Sequence, residues 1–242
     1  MAKLASPDPN PEDALRRKVE DGSASPEDYT KLGGLLFLMG NSQEAVTLYR
    51  QAIDLALTNL HKAHVCVELG SVHYEMGQQG EAQTLAQKAL GFLATEADSL
   101  EVLACRGGCQ TLLAQLEWAK DAEAGRSASR LALENLERVI NEGTEFEGKA
   151  VACFDAAVLH SALESTDRAT TLCERYLGYP LHEWERISGL TVLADALRQS
   201  EQFDKAQRTL YEAIQFAGRY NTTLANLYLN LGLAQRLSGS LT

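Results

Sequence analysis

Proline, aromatic residues and positive charge are all scarce in this chain of 242 residues. The prolines number 5, which leaves long stretches where nothing interrupts a helix. Aromatic residues make up 7%, and 22 Lys and Arg stand against 33 Asp and Glu, a net charge of −11. A surface with that charge repels phosphate backbones, so we expect no nucleic-acid partner. No apolar run approaches the length that crosses a bilayer, so we expect no membrane partner.

Cysteine and histidine offer little recognisable chemistry. The cysteines number 5, an odd count that is typical of reduced thiols in a cytoplasmic protein rather than of a disulfide framework. His61 and His64 stand three residues apart, but no third metal ligand is evident and no HExxH motif occurs. No Ser-His-Asp arrangement and no phosphate-binding glycine loop can be identified. The sequence therefore predicts a cytoplasmic protein that is not an enzyme and holds neither cofactor nor metal.

The chain does contain a small residue that recurs every 37 or 38 positions. Gly33, Gly70 and Gly107 are followed by Ala157, and later by Ala194 and Gly232. The one longer interval, from Gly107 to Ala157, exceeds the period by 13 residues. Such a period predicts pairs of antiparallel helices that cross closely at small residues. The positions assigned to these crossings are Gly33, Ala45, Ala52, Gly70, Ala82, Ala89, Gly107, Ala132, Ala157, Ala169, Ala194, Ala206, Ala213 and Gly232.

The residues of the first two units resemble the tetratricopeptide repeat. The matching residues are Gly33, Leu36, Gly40, Ala45, Tyr49 and Ala52 in unit one, and Gly70, Gly77, Ala82 and Ala89 in unit two. The resemblance implies an all-α fold, an α-solenoid of antiparallel helix pairs wound into a right-handed superhelix of about five and a half repeats. Within an array over 25–242, we expect repeats near 26–61, 62–95, 96–144, 145–181, 182–219 and a half repeat at 220–242.

The two ends and the insertion carry their own predictions. We expect residues 1–10 to be disordered and 11–24 to form a capping helix. The insertion, at about 115–127, is expected to lengthen the first helix of unit three by roughly 20 Å before the chain returns through Gly125. On that projection Trp118 is a candidate partner anchor, although it could instead pack on unit four.

The last predicted helix, near 221–237, is rich in leucine for a terminal cap. One hypothesis is that the chain is part of a longer array, or that another molecule covers this end. The alternative is that the helix itself caps the array.

The resemblance further implies that the first helix of each pair lines a concave groove. The candidates for binding in that groove are Glu27, Thr30, Phe37, His64, Val67, Ser71, Tyr74, Glu75, Glu101, Phe154, Val158, Thr191, Asp195 and Arg198. The same register also selects Gly34 and Leu38 in unit one, Ala104, Gly108, Thr111 and Leu112 in unit three, Val151, Ser161 and Ala162 in unit four, and Ser188 and Gln199 in unit five. The apolar members favour an amphipathic or extended apolar peptide, and the acidic ones favour a basic partner. The alternative is that tight curvature or the ends of the chain cover these residues.

The leading functional hypothesis is a non-enzymatic scaffold or adaptor that binds a protein segment in the concave groove. One alternative is an assembly element, a homo-oligomer formed through the C-terminal repeat end. Another is a regulatory repeat region of a larger protein whose catalytic domain lies beyond residue 242.

Overall fold

The computed structural model describes residues 11–142, 146–218 and 220–239, and every regular element within these ranges is an α-helix. The helices are α1 (Pro11–Glu20), α2 (Pro26–Leu38), α3 (Ser42–Leu55), α4 (Asn59–Glu75), α5 (Gln79–Leu93), α6 (Leu100–Trp118), α7 (Ala122–Asn141), α8 (Glu147–Ala162), α9 (Thr166–Leu177), α10 (Glu183–Gln199), α11 (Phe203–Phe216) and α12 (Asn221–Leu237). From α2 onward, successive helices pair as hairpins. The prediction of an all-α helical solenoid is confirmed, while the segment 1–10 lies outside the described residues.

Short polar side chains fix where several of the inner helices begin. Ser25 and Asp28 form a reciprocal capping box around Pro26, the first residue of α2. Thr58 caps α4 and Ser99 caps α6 by accepting a hydrogen bond from a backbone amide three residues later. These hydroxyls satisfy amide groups that have no partner inside the helix.

In four of the five helix pairs, the turn between the two helices places one residue in the left-handed region. Gly40 has φ of 90° and Gly77 has φ of 74°. In the fourth and fifth pairs the same turn is made by Glu164 and Glu201, with φ of 59° and 60°. A side chain in that conformation costs about 1–2 kcal/mol relative to the right-handed region, so these two turns carry strain that the glycine turns avoid.

The third pair absorbs the insertion in both of its helices. α6 continues 11 residues past Gly107, whereas α4 continues 5 past Gly70. α7 begins 10 residues before Ala132, whereas α5 begins 3 before Ala82. The extra residues are thus shared almost equally, and the hairpin is about 10 Å longer at its turn. The predicted projection of roughly 20 Å from the first helix alone is wrong.

Gly125 lies inside α7 and does not form the turn. A Cβ added to Gly125 would meet the Trp118 ring at 2.5 Å, so the glycine lets the indole lie against the helix. The indole Nε1 of Trp118 donates to Ser129 Oγ at 3.0 Å, and the guanidinium of Arg126 lies 5.6 Å from the ring centroid. Trp118 therefore packs across its own hairpin. Its role as a partner anchor stays a prediction.

The helix α1 packs on the first pair. Leu15 and Val19 contact a buried cluster that includes Leu32 and Leu36. The guanidinium of Arg16 also lies 2.7 Å from the carboxylate of Glu44 on α3. The outer surface of the first pair is therefore partly covered by the chain itself.

The inner helices form a closed circuit. Each of α2, α4, α6, α8 and α10 contacts the next, and α12 packs back on α2. Leu35 of α2 is 4% exposed and belongs to the same buried cluster as Leu227 and Leu231 of α12. Units of an open solenoid contact only their neighbours, so this contact joins the two ends of the array. We call the circuit the ring, its interior the lumen, and the contact between α2 and α12 the seam.

The signature small residues lie where helices approach most closely. Thirteen of the fourteen predicted positions are buried, and Gly232 is half-buried. A Cβ at Gly107 would lie 2.5 Å from Leu136 Cδ2, and one at Gly70 would lie 2.7 Å from Leu112 Cδ2. At Gly232 nothing lies within 4 Å. The crossings at Gly70 and Gly107 are therefore too close to admit a β-carbon without a shift of the facing leucine.

Candidate binding surface inside the ring

The fourteen residues of the predicted groove lie on the five inner helices from α2 to α10. All of them keep part of their surface accessible, and Glu27, Glu75 and Glu101 are exposed. The additional positions of unit three have no accessible surface of this kind, because α6 packs against α4, α7 and α8. Ala104, Gly108, Thr111 and Leu112 are buried, so the prediction that they line an open groove is wrong.

Several of the apolar groove residues also take part in the protein's own packing. The rings of Phe154 and Tyr176 lie 5.2 Å apart, centroid to centroid. Phe37 contacts the buried clusters of the first two pairs, and Val67 contacts the cluster around Cys66. These side chains form the walls of the lumen and offer only part of their surface to a ligand.

The polar groove residues of units four and five bind one another. The carboxylate of Asp195 accepts hydrogen bonds from Ser161 Oγ at 3.1 Å and from Gln199 Nε2 at 2.7 Å. Arg198 forms an ion pair with the same carboxylate. In unit one the carboxylate of Glu27 lies 3.6 Å from the imidazole of His61. The charges of Asp195 and Arg198 are thus largely compensated within α10.

Three carboxylates that the sequence analysis did not select lie on the inner helices. They are Glu68 on α4, Asp155 on α8 and Glu185 on α10, and we call them the lumen carboxylates. Within the described ranges neither Glu68 nor Asp155 has an ion-pair or hydrogen-bond partner, while Glu185 accepts a hydrogen bond from the backbone amide of His182 at 2.7 Å. Glu68 and Asp155 occupy the same repeat position, two residues before the small residue of their helix.

Two of the lumen carboxylates, Asp155 and Glu68, have raised pKa values. Surrounding protein raises the pKa of Asp155 to about 7, and the nearby carboxylate of Glu68 adds to the increase. The pKa of Glu68 is also raised, by the surrounding protein and by Glu185, although the residue as a whole is exposed. Both effects disfavour the charged form. The arrangement therefore concentrates negative charge that no described cation offsets.

Close helix packing brings these groups together. A Cβ added to Gly108 would lie 3.2 Å from Asp155 Oδ2 and 3.8 Å from Val67 Cγ1, so α4, α6 and α8 converge at this glycine. The hydroxyl of Tyr176 donates to the backbone oxygen of Glu185 at 3.3 Å. Burial raises the pKa of Tyr176, and all three lumen carboxylates add to that increase. Tyr176 is thus a common neighbour of the cluster.

The thiols and histidines form no recognisable reactive centre in the described part of the chain. All five cysteines are buried and reduced, and burial raises the pKa of Cys173 to about 12. No group of three or more His, Cys, Asp or Glu side chains in these ranges is placed to hold a metal ion. No described helix has the length and apolar character to cross a membrane.

Comparisons with known proteins found three kinds of similarity. The sequence model of the tetratricopeptide repeat family matches residues 28–94. The human protein named Protein O-mannosyl-transferase TMTC1 is 24% identical over 210 residues, which is 86% of this chain and 21% of that protein. The crystal structure of TTC0263, a thermophilic TPR protein of Thermus thermophilus, superposes with a TM-score of 0.58 at 16% identity, over 86% of this chain and 99% of that one. Together with the fold, the family match over residues 28–94 confirms the resemblance to the tetratricopeptide repeat that was drawn from the sequence.

Proposed function

We propose that the chain is a non-enzymatic scaffold that binds a basic segment of a partner protein on the inner face of the ring. The observation that carries the proposal is the group of lumen carboxylates, which gather around Tyr176 without a compensating cation among the described residues. A Lys or Arg side chain entering the lumen would relieve their mutual repulsion and restore the ionised form of Asp155. Charge complementarity of this kind gives specificity and a fast association rate.

The remainder of the inner face favours an amphipathic segment over a purely charged one. Tyr74, Phe154 and Val158 each keep part of an apolar surface accessible beside the carboxylates. The exposed carboxylates of Glu75 and Glu101 extend the negative charge on α4 and α6. A helix or extended strand with alternating basic and apolar side chains would match both features.

A synthetic peptide of alternating Lys and Leu tests the proposal directly, with a Glu and Leu peptide as its counterpart. We expect isothermal titration calorimetry to detect binding of the basic peptide only. The double substitution Glu68→Gln and Asp155→Asn should weaken binding about tenfold or more, because it removes two attractive charges. The matched control is Glu212→Gln, on the outer helix α11, which should bind as the wild type does. Equal binding of both peptides, or no effect of the double substitution, would refute the proposal.

The exposed face of the last two helices supports a second candidate, self-association. Tyr228 and Leu229 of α12 are 58% and 72% exposed, and Tyr211 of α11 is 49% exposed. Exposed apolar groups close together are typical of surfaces that bind another protein. Sedimentation velocity should then show a dimer that Leu229→Glu dissociates. A wild-type monomer at high concentration would exclude this candidate.

A third candidate is that this array serves as the regulatory region of a larger protein with a catalytic domain. The chain spans 21% of the length of the human relative, whose name describes a mannosyl-transferase. Determining the boundaries of the full-length gene tests this candidate.

A further inference from the structure

We propose that α12 binds one amphipathic helix of a partner protein, which packs antiparallel to α12 and forms a sixth helix pair with it. The surface involves none of the lumen carboxylates, so this inference is independent of the proposed binding of a basic segment. It goes beyond the self-association considered above, because it defines the kind of helix that the surface accepts.

The binding surface is one side of α12. Four residues lie on that side, with spacings of three, four and four: Ala225, Tyr228, Gly232 and Arg236. We call them the stripe, and the leucines that form the seam lie on another side of the helix. Tyr228 is 58% exposed, Ala225 and Arg236 are exposed, and a Cβ added to Gly232 would meet nothing within 4 Å. The described helices therefore leave the stripe largely uncovered.

The same positions are covered in the other first helices. Tyr228 stands four residues before the small residue of its unit, and its counterparts on α4, α6, α8 and α10 are at most 3% exposed: Cys66, Leu103, Cys153 and Leu190. Each of these counterparts belongs to a buried cluster that includes residues of the second helix of its own pair. The small residue itself is buried in all five pairs. The stripe is thus the surface that a second helix covers elsewhere in the chain.

The first pair indicates which helix fits the stripe. On α2 and in the turn after it, four residues hold the positions of Tyr228, Leu231, Gly232 and Gly239, and they are identical: Tyr29, Leu32, Gly33 and Gly40. Tyr29 packs against both buried clusters that contain residues of α3, and a Cβ added to Gly33 would lie 3.0 Å from Tyr49 Cε2. Gly239 has φ of 74° and Gly40 has φ of 90°, so both turns are left-handed. α12 therefore repeats residues with which α2 contacts α3.

Charge complements this pattern at the turn end of the stripe. Each of the five second helices has a carboxylate in its first turn: Glu44, Glu81, Glu123, Asp167 and Asp204. In an antiparallel pair this turn lies beside the last turn of the first helix. Arg236 lies in the last turn of α12 and has no ion-pair partner within the described ranges. A carboxylate in the first turn of the docked helix would pair with Arg236.

The chemistry of the docked helix follows from these contacts. The second helices that meet Gly33 and Gly107 present an alanine and, four residues later, a large apolar side chain: Ala45 and Tyr49 on α3, and Ala132 and Leu136 on α7. A second copy offers no free helix of this kind, because all five of its second helices are packed in their own pairs. In α1, Lys18 stands four residues after Ala14, where the pattern requires an apolar group. The stripe therefore accepts a helix of another protein.

A peptide with the sequence of residues 41–56 tests the site. It contains α3, and a hydrocarbon staple between positions 47 and 51, which are exposed in α3, keeps it helical in isolation. We expect the fluorescence anisotropy of the labelled peptide to show binding to the intact protein. A peptide that carries Ala45→Glu and Ala52→Glu should bind about tenfold more weakly or less, because both side chains would enter the helix crossing.

Substitutions on α12 distinguish a helix crossing from a general apolar surface. Gly232→Leu should weaken binding about tenfold or more, because a large side chain separates the two helices, while the free protein tolerates it since nothing lies within 4 Å of the new Cβ. A general apolar surface would instead bind the peptide equally well or better after this change. Tyr228→Glu should also weaken binding, whereas the matched control Asn226→Glu, exposed on another side of α12, should bind as the wild type does.

The charge pair has its own test. Arg236→Glu should weaken binding about threefold, and Glu44→Lys in the peptide should restore the loss. The double substitution Glu68→Gln and Asp155→Asn in the lumen should leave the binding of this peptide unchanged, so the two binding proposals can fail separately.

Three results would overturn the inference. The first is a stapled peptide that does not bind, and the second is a peptide that binds Gly232→Leu as tightly as the wild type. The third is a wild-type dimer in sedimentation velocity that excludes the peptide and that Tyr228→Glu dissociates, since a second copy would then occupy the stripe.

Discussion

Replacing Gly107 or Gly232 with alanine should change stability in opposite directions, although both glycines occupy the same position of the repeat. At Gly107 the new Cβ would lie 2.5 Å from Leu136 Cδ2 and 2.7 Å from Leu136 Cγ. Leu136 is 0% exposed, and the contact reaches its branch point, so the whole side chain must move. At Gly232 the new Cβ would meet nothing within 4 Å.

The magnitudes follow from two opposing terms. Alanine gains about 1 kcal/mol over glycine in a helix interior, and this gain applies at both positions. Overpacking a closely packed core costs about 1–3 kcal/mol, and a clash with a branch point belongs at the upper end. We therefore expect Gly107→Ala to lose about 2 kcal/mol. Gly232→Ala should gain about 1 kcal/mol, so that the two variants differ by roughly two powers of ten in the unfolding equilibrium.

Urea unfolding followed by circular dichroism measures both variants, with the slope of the transition checked for each because repeat arrays can unfold in steps. A third and a fourth chain complete the cycle: Leu136→Ala alone, and Leu136→Ala with Gly107→Ala. Leu136→Ala removes the clashing side chain. The double variant should therefore be more stable than Leu136→Ala alone by about 1 kcal/mol. If Gly107→Ala stabilised the wild-type chain as Gly232→Ala does, the close contact with Leu136 would not exist.

Three further predictions concern the turns, the extended hairpin and the thiols. Glu164→Gly and Glu201→Gly should each raise the free energy of unfolding by about 1 kcal/mol, since glycine removes the left-handed strain; unchanged urea midpoints would contradict this. Ser129→Ala should cost about 1 kcal/mol and shift the fluorescence of Trp118, because the indole loses its acceptor, while an unaltered spectrum would show that the hydrogen bond is absent. Cys173 should react with a thiol reagent only after the chain unfolds, since burial raises its pKa to about 12, and rapid labelling of the native protein would refute that view.

The sequence predicted the helices because each boundary has a local cause. α12 begins and ends at the predicted residues, 221 and 237, whereas α7 begins at Ala122, before the turn that was predicted at Gly125. The difference comes from Gly125, which was taken for a turn residue although it serves to accommodate Trp118. A glycine that permits close packing and one that makes a turn look the same in a sequence. Only the three-dimensional neighbour distinguishes them.

The candidate site was harder to predict. The positions implied by the family resemblance included residues of α6 that packing buries, and they excluded Glu68 and Asp155. A signal was present, because both carboxylates stand two residues before the small residue of their repeat. The closure of the ring had no such signal. It depends on small rotations between successive pairs, which add up until α2 contacts α12. The sequence of a single unit does not reveal this total rotation.

The meeting of α2 and α12 also has a consequence for how the chain folds. In an open array each unit adds its own stability and that of one interface, so folding can begin at any unit and spread along the chain. Here the last interface forms only after all the intervening units are in place, and it joins residues roughly 190 positions apart, which raises the contact order. A substitution that destabilises the first pair should therefore also destabilise α12 directly, through their contact. We expect the array to unfold more cooperatively than its modular sequence indicates.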